Sequence, residues 1–161
     1  MNEKRKSLNF FIPKTSVLDN FSALEIIFED NIFKTLEAAY QYKKFTTSTD
    51  DLVVIRNQIL TARSPYKVKE IVEKNKHLVP KDWDSIKVAV MAKLYWVKLY
   101  QHEIVQETLM ASDGVLLLEG NEEDSFWGIG PDGNGENTSG RLWMAIRDGQ
   151  LPDLYKPNTR A

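Results

Sequence analysis

The stretch Trp83-Asp84-Ser85-Ile86-Lys87-Val88-Ala89-Val90-Met91-Ala92-Lys93-Leu94-Tyr95-Trp96-Val97 decides how this chain is read. Trp83, Ile86, Lys87, Val90, Met91, Leu94 and Val97 recur at offsets of 0, 3, 4, 7, 8, 11 and 14, one face of a 3.6-residue period. The spacing predicts a long core helix. Lys87 falls on that apolar face one turn after Trp83, so its amine either snorkels to water along its aliphatic stem or meets an anion.

Working outward, helical period also runs from Thr35 to about Phe45, with Leu36, Ala39 and Tyr40 on one stripe and Glu37, Gln41 and Lys44 on the next. The polar run Thr46-Thr47-Ser48-Thr49-Asp50 breaks it, and a second helix is expected over Asp51 to Arg63 with Asp50 as its N-cap. Ser64-Pro65 is a cap followed by a proline suited to a first helical position, so a third helix starts there and its region ends at Pro80. Further helices are expected over His102 to Met110 and over Gly140 to Asp148, the latter stopped by Gly149 and Pro152. Extended pieces are few: Leu8 to Ile12, a hairpin of Glu25 to Phe28 and Ile32 to Lys34 around Glu29-Asp30-Asn31, and a buried strand over Val115 to Leu118. The expectation is a mainly α chain, α+β with a few short strands, forming a single domain over 1–161 with its core at about 8–151.

Composition bounds the chemistry. At 161 residues the chain is long enough to bury a substantial core without disulfides. The absence of cysteine removes thiol nucleophiles and cysteine zinc sites, and two histidines are too few for a histidine-rich metal centre. No motif calls for a metal or a cofactor. A net charge of −2 argues against a surface that coats nucleic acid, although a local basic pocket for one modified nucleotide is compatible with it. No apolar run approaches the ~20 residues of a membrane span, and the charged start of the chain is not followed by a signal-peptide core. A cytoplasmic protein without a membrane partner is expected.

Several groups could do chemistry. Glu37 and Lys44 are seven residues apart, which on a helix puts them within about 20° of each other and roughly 10 Å apart along the axis. A sugar phosphate fits between such side chains, with Gln41 on the same face offering a donor and an acceptor. The same residues also read as a solvated polar stripe. Asp124 precedes Phe126 and Trp127, where aromatic neighbours suit it to acid or base work, or where it simply caps a turn. Five of the eight glycines lie between Gly128 and Gly140, and the loop leads through Asn137-Thr138-Ser139 into a helix whose free amides suit a phosphate. Asn137 alternatively serves as a helix cap. The loop is not closed by Gly-Lys-Ser or Gly-Lys-Thr, which argues against ATP hydrolysis. Arg147 reads as structural or paired with a carboxylate.

Taken together these blocks resemble the NADAR family, the YbiA-like N-glycosidases. Leu18-Asp19-Asn20-Phe21 is similar to the family's N-terminal block. Glu37 with Lys44-Phe45 is similar to its glutamate helix, and Trp83, Lys87 and Met91 to its Trp-x3-Lys-x3-Met helix. The strongest block comprises Glu119, Asp124, Trp127-Gly128-Ile129-Gly130, Asn137, Gly140, Met144 and Arg147, and the blocks run in order from Leu18 to Arg147. The chain departs from the family pattern at Ala38, at Glu136 and near Glu73-Lys74, departures that bear on substrate choice.

The resemblance implies a compact, mainly helical fold with a cleft for an ADP-ribose-like or phosphoribosyl group, and cleavage of a ribose N-glycosidic bond. It implies Glu37, Lys44 and Asp124 as catalytic groups, the two carboxylates activating water and stabilising a cationic sugar. Lys44 would hold a phosphate or attack the opened sugar as an amine. Asn20, Trp83, Lys87, Trp127, Gly128, Gly130 and Asn137 would bind substrate, with Trp127 stacking on base or ribose and the Gly128 and Gly130 amides taking hydroxyls or phosphates. The preferred substrate is ADP-ribose attached to guanine in nucleic acid, ahead of phosphoribosyl intermediates of riboflavin synthesis. The competing classes are a binding module for NAD or ADP-ribose without turnover, and a helical scaffold for a protein partner.

Overall fold

The computed structural model describes residues 6–11, 16–46 and 49–152. These fall into two compact units, one of the residues up to Ser22 together with those from His102 onward, the other Ala23–Gln101. In chain order the described elements are β1 (Ser7–Asn9), β2 (Ile26–Phe28), β3 (Asn31–Phe33), α1 (Leu36–Tyr42), α2 (Asp50–Thr61), α3 (Pro65–Lys74), α4 (Trp83–Gln101), α5 (Glu103–Ala111), β4 (Leu116–Leu118) and α6 (Thr138–Arg147). The fold is mainly helical with short strands, as expected. Among the described residues no helix is long and apolar enough to cross a membrane.

In the unit Ala23–Gln101, β2 and β3 form an antiparallel hairpin pairing Ile26 with Phe33, Ile27 with Ile32 and Phe28 with Asn31. The expected hairpin is present, with the turn made by Glu29 and Asp30 at φ of 48° and 61° and with Asn31 already in the strand. Ile26, Phe28 and Phe33 face inward, leaving Ile27 and Ile32 exposed, the alternation that period-2 side chains require. Thr35 then caps α1, its hydroxyl accepting from the Ala38 amide at 3.2 Å. Lys43–Phe45 continue as a 3-10 turn, which carries the helical segment to the expected Phe45.

In this unit two boundaries and one burial pattern differ from the sequence expectation. α2 starts at Asp50, and its N-cap is Thr49 rather than Asp50, so the Asp50 charge sits in the first turn where it meets the positive end of the helix dipole. α3 is capped by Ser64 as expected but ends at Lys74, where Asn75 donates through Nδ2 to the Ile71 carbonyl at 2.8 Å. In α4, Trp83, Met91, Leu94 and Val97 are buried, whereas Ile86 is 44% exposed. The burial shifts to the C-terminal half, where Ala92, Tyr95, Trp96 and Lys98 join the core. Helix α1 packs against α2, α3, α4 and β3.

In the other unit, β1 and β4 pair in parallel, Ser7 with Leu116 through Asn9 with Leu118; the expected end of the first strand at Ile12 lies outside the described residues. Helix α6 packs on β4 and α5. It begins at Thr138, two residues before the expected Gly140, and Gly140 is a contact point inside the first turn: a Cβ there would collide with the Leu117 carbonyl oxygen. Gly149, at φ 65°, ends α6 as expected. Arg147 is structural: its Nη1 donates to the Ser112 and Val115 carbonyls at 2.6 and 2.8 Å, closing the turn between α5 and β4.

Gly140→Ala is therefore expected to destabilise the protein by about 1–3 kcal/mol, the usual range for overpacking a tight contact. Gly114→Ala, which meets nothing within 4 Å, carries only the strain of a positive φ and should lower the melting temperature less. Thermal unfolding of the two variants side by side checks the order.

Candidate functional site

The unit Ala23–Gln101 brings four of the expected site residues, Glu37, Lys44, Trp83 and Lys87, into one electrostatic neighbourhood. Every residue from Leu36 to Gln41 on α1 is buried, so Glu37 is a carboxylate only 6% exposed. Gln41 Nε2 donates to Glu37 Oε1 at 2.7 Å. One turn on, the Lys44 ammonium lies 5.3 Å from the centroid of Tyr40 and 5.8 Å from that of Trp83, rings that are themselves 5.4 Å apart. This is a cation held on two aromatic faces.

Burial pushes the Lys44 amine below its ordinary value of 10.5, since desolvation disfavours the charged form. Glu37 works against that shift, Lys87 adds to it, Asp84 opposes it and Lys69 adds to it. Lys87 meets an anion, pairing with Asp84 at 2.8 Å across one helical turn. The Glu70 carboxyl on α3 is held at about 2 by hydrogen bonds from Lys74 and Lys67, a surface arrangement with no aromatic cover. The residues that sequence reasoning left out of the site are therefore Asp84 and Lys69, with Tyr40 read only as core. The i,i+3 spacing of Asp84 and Lys87 and the i,i+4 spacing of Tyr40 and Lys44 were the available signals.

The other unit contains Asp124, Trp127, Gly128, Gly130 and Asn137, with Asn20 half-buried beside a tight turn in which Asp19 Oδ1 accepts from the Phe21 amide. Asp124 Oδ1 accepts from the amides of Phe126 and Trp127 at 2.9 and 2.8 Å, so this oxygen holds the turn. The two rings meet edge to face, centroids 5.0 Å apart. The expected amide cradle for phosphate does not form in this conformation. Gly128 donates to the Asp124 carbonyl and Gly130 to the Asn121 carbonyl, each at 3.1 Å, and the first amides of α6, on Thr138 and Ser139, donate to the carbonyls of Phe126 and Trp127. Backbone donors inside a folded loop are consumed by the nearest carbonyls, an outcome that glycine content alone does not reveal. The glycines serve packing: a Cβ at Gly128 would stand 2.5 Å from the Asn121 carbonyl oxygen.

Asn137 makes no side-chain cap to α6. Its Oδ1 accepts from the Glu119 amide at 2.8 Å and its Nδ2 donates to the Leu117 carbonyl at 2.9 Å, extending the hydrogen bonding of β4. Its left-handed backbone, φ 51°, suits asparagine better than most residues. Among the described residues, no cluster of three or more histidines, aspartates or glutamates is arranged to hold a metal ion.

Residues 3–150 match the model of the NADAR domain. The N-glycosidase Npun_R5314 of Nostoc punctiforme is 30% identical over 129 residues, covering 80% of this chain and 81% of that protein. The N-glycosidase YbiA of Escherichia coli is 29% identical over 143 residues, covering 88% and 86% of the two chains. The NMR structure of the E. coli protein YbiA superposes with a TM-score of 0.79 at 26% identity, covering 99% of this chain and 94% of that one. A riboflavin biosynthesis protein of Vibrio vulnificus is 29% identical over 149 residues, which is 91% of this chain and 39% of that protein.

The charges around Lys44 give a signed prediction. Glu37→Gln removes a group that raises the Lys44 value and should lower its titration midpoint further, whereas Lys87→Ala should raise it. Because the folded amine titrates below the unfolded one, the unfolded chain holds more protons between the two values. The contribution of Lys44 to stability therefore rises as pH climbs through that window. NMR titration of the Lys44 side chain in the three proteins checks the order, and midpoints that do not move would refute the coupling.

Proposed function

The chain belongs to the NADAR domain family, and from that premise we propose its reaction: it is a hydrolase of N-glycosyl bonds, and the bond it cuts joins C1 of ADP-ribose to guanine in nucleic acid. The observation that carries this reading is the buried Glu37 carboxylate beside a Lys44 amine that burial shifts toward its neutral form. Cleaving a ribose C1–N bond builds positive charge on the sugar, and a carboxylate preorganised in a site of low dielectric stabilises that charge far better than water does. Glu37 takes a proton from the attacking water as oxygen bonds to C1. The electron pair of the C1–N bond leaves with the base, which takes up, through solvent, a proton equivalent to the one Glu37 removed, regenerating the carboxylate.

Burial of Lys44 favours the neutral amine, the form that adds to the aldehyde carbon of an opened sugar to give a Schiff base. Protonated, the same amine holds a phosphate. Asp124 stands as the second carboxylate, acting through Oδ2, since Oδ1 is engaged by the Phe126 and Trp127 amides. Trp127 offers a ring for stacking and Asn20 a carboxamide for hydroxyls, while the Asn137 carboxamide is engaged at both ends by the backbone around β4.

The preference for a diphosphate-bearing substrate is supported by the cations around Lys44. Lys69 and Lys87 both act on it, against the carboxylates Glu37 and Asp84, and a diphosphate can engage more amines than a monophosphate. The second reading is an N-glycosidase of phosphoribosyl intermediates of riboflavin synthesis. It is favoured by the name of the Vibrio relative, of which this chain spans about two fifths. Names of relatives spanned over more than four fifths of their length, N-glycosidases in the two cases above, support the general activity.

Incubation with an oligonucleotide bearing ADP-ribosylated guanine is expected to release free ADP-ribose. Glu37→Gln and Lys44→Ala should each lower the rate by at least about ten- to a hundred-fold with the fold intact. Asp124→Asn keeps Oδ1 as the turn acceptor and removes the charge, so a comparable loss there would reflect chemistry rather than turn geometry. Cleavage of phosphoribosyl pyrimidines much faster than of the ADP-ribosyl guanine substrate would reverse the order of the two readings.

A further inference from the structure

Gln41 is 6% exposed and its carboxamide is half used. Nε2 donates to Glu37 Oε1 at 2.7 Å, while Oε1 is buried and, among the described residues, has no hydrogen-bond partner. The assignment of the two amide atoms follows from chemistry. The Glu37 carboxylate, when ionised, can only accept, so the nitrogen faces it and the oxygen must face away. A buried carbonyl oxygen without a donor is costly, and such atoms are rare in folded proteins. The bond to Glu37 accounts for the nitrogen of Gln41, and among the described residues no hydrogen bond accounts for its oxygen.

A donor that arrives with the substrate would complete the carboxamide. Gln41 Oε1 is separated from Glu37 only by the width of its own carboxamide and one hydrogen bond, so a group that donates to it lies next to the atom Glu37 addresses. If Glu37 acts at C1 of a ribose, the adjacent donor on the sugar is the 2-hydroxyl, and hydrogen bonds to that hydroxyl are the ones that strengthen as a glycosidic bond breaks. We propose that Gln41 is a specificity-determining residue whose Oε1 accepts a hydrogen bond from the ribose 2-hydroxyl of the substrate. The inference rests on the N-glycosidase reading for the identity of the sugar, but its test needs no turnover.

Ribose 5-phosphate and 2-deoxyribose 5-phosphate are titrated calorimetrically into the wild-type protein, Gln41→Met and Gln41→Glu. Methionine keeps the length and has no hydrogen-bonding oxygen or nitrogen; glutamate, sharing one proton with the Glu37 carboxylate at hydrogen-bond distance, keeps both the bond to Glu37 and an acceptor oxygen. Wild type is expected to prefer the ribose form by about ten-fold or more, because a site built to pair a hydroxyl discriminates against its loss. Gln41→Met should bind the two sugars alike, and Gln41→Glu should keep the preference. No binding or no preference in wild type, an undiminished preference in folded Gln41→Met, or its disappearance in folded Gln41→Glu would each overturn the proposal. A wild-type preference lost only in Gln41→Met, in a protein that cleaves neither class of glycosyl substrate, would sustain the Gln41 contact and defeat the N-glycosidase reading instead.

Discussion

The burial of helix α1 is the constraint on which its unit depends. Six consecutive residues, Leu36 to Gln41, are shielded in a helix of seven, which a one-sided amphipathic helix cannot achieve. α2, α3, α4 and β3 all pack against it. A helix covered in this way carries its polar side chains into the interior, and a carboxylate there is tolerated only with partners. Gln41 supplies one hydrogen bond to Glu37, and Lys44 supplies a cation along the same face. The same enclosure that makes Glu37 expensive makes Lys44 easier to deprotonate. Stability cost and chemical potential have one origin here, the removal of water from a polar stripe.

In the other unit the comparable role belongs to Asn137. Its carboxamide bonds the backbone on both sides of Leu118, and its left-handed backbone leads directly into α6. Gly140 lets α6 approach β4 closely enough for this to happen. The loop from Asp124 to Asn137 then folds tightly, its amides donating to its own carbonyls, to the Asp124 carboxylate and to the carbonyls of Glu119 and Asn121 just before it. Glycine-rich sequence thus produced a tightly hydrogen-bonded packing device rather than an open row of donors.

The aromatic pair Tyr40 and Trp83 links packing to electrostatics. Both rings are buried, and both lie within about 6 Å of the Lys44 amine. They exclude water from the amine while offering it their negative faces, two effects of opposite sign on its protonation. Desolvation is the largest influence on the amine, and the two rings are among the groups beside it. Lys87 pairs with Asp84, and Gln41 and Lys44 are among the groups that set the chemical context of the Glu37 carboxylate.

Periodicity alone located the hairpin, the core of α1, the Ser64-Pro65 start of α3 and the long α4, because those elements repeat a pattern over several turns or use strong local caps. The grouping of Glu37 with Lys44 was likewise legible, since their spacing fixes a shared helical face. What only the tertiary structure decided was the fate of groups whose partners lie far off in sequence or depend on the loop's path. Ile86 is exposed where its period called for burial, the Gly128 and Gly130 amides are taken by the carbonyls of Asp124 and Asn121, and Asn137 bonds residues 18 and 20 positions away. A sequence pattern states which side chains share a face. Whether that face is dry, and which donors remain for a ligand, is set by how the chain folds back over it.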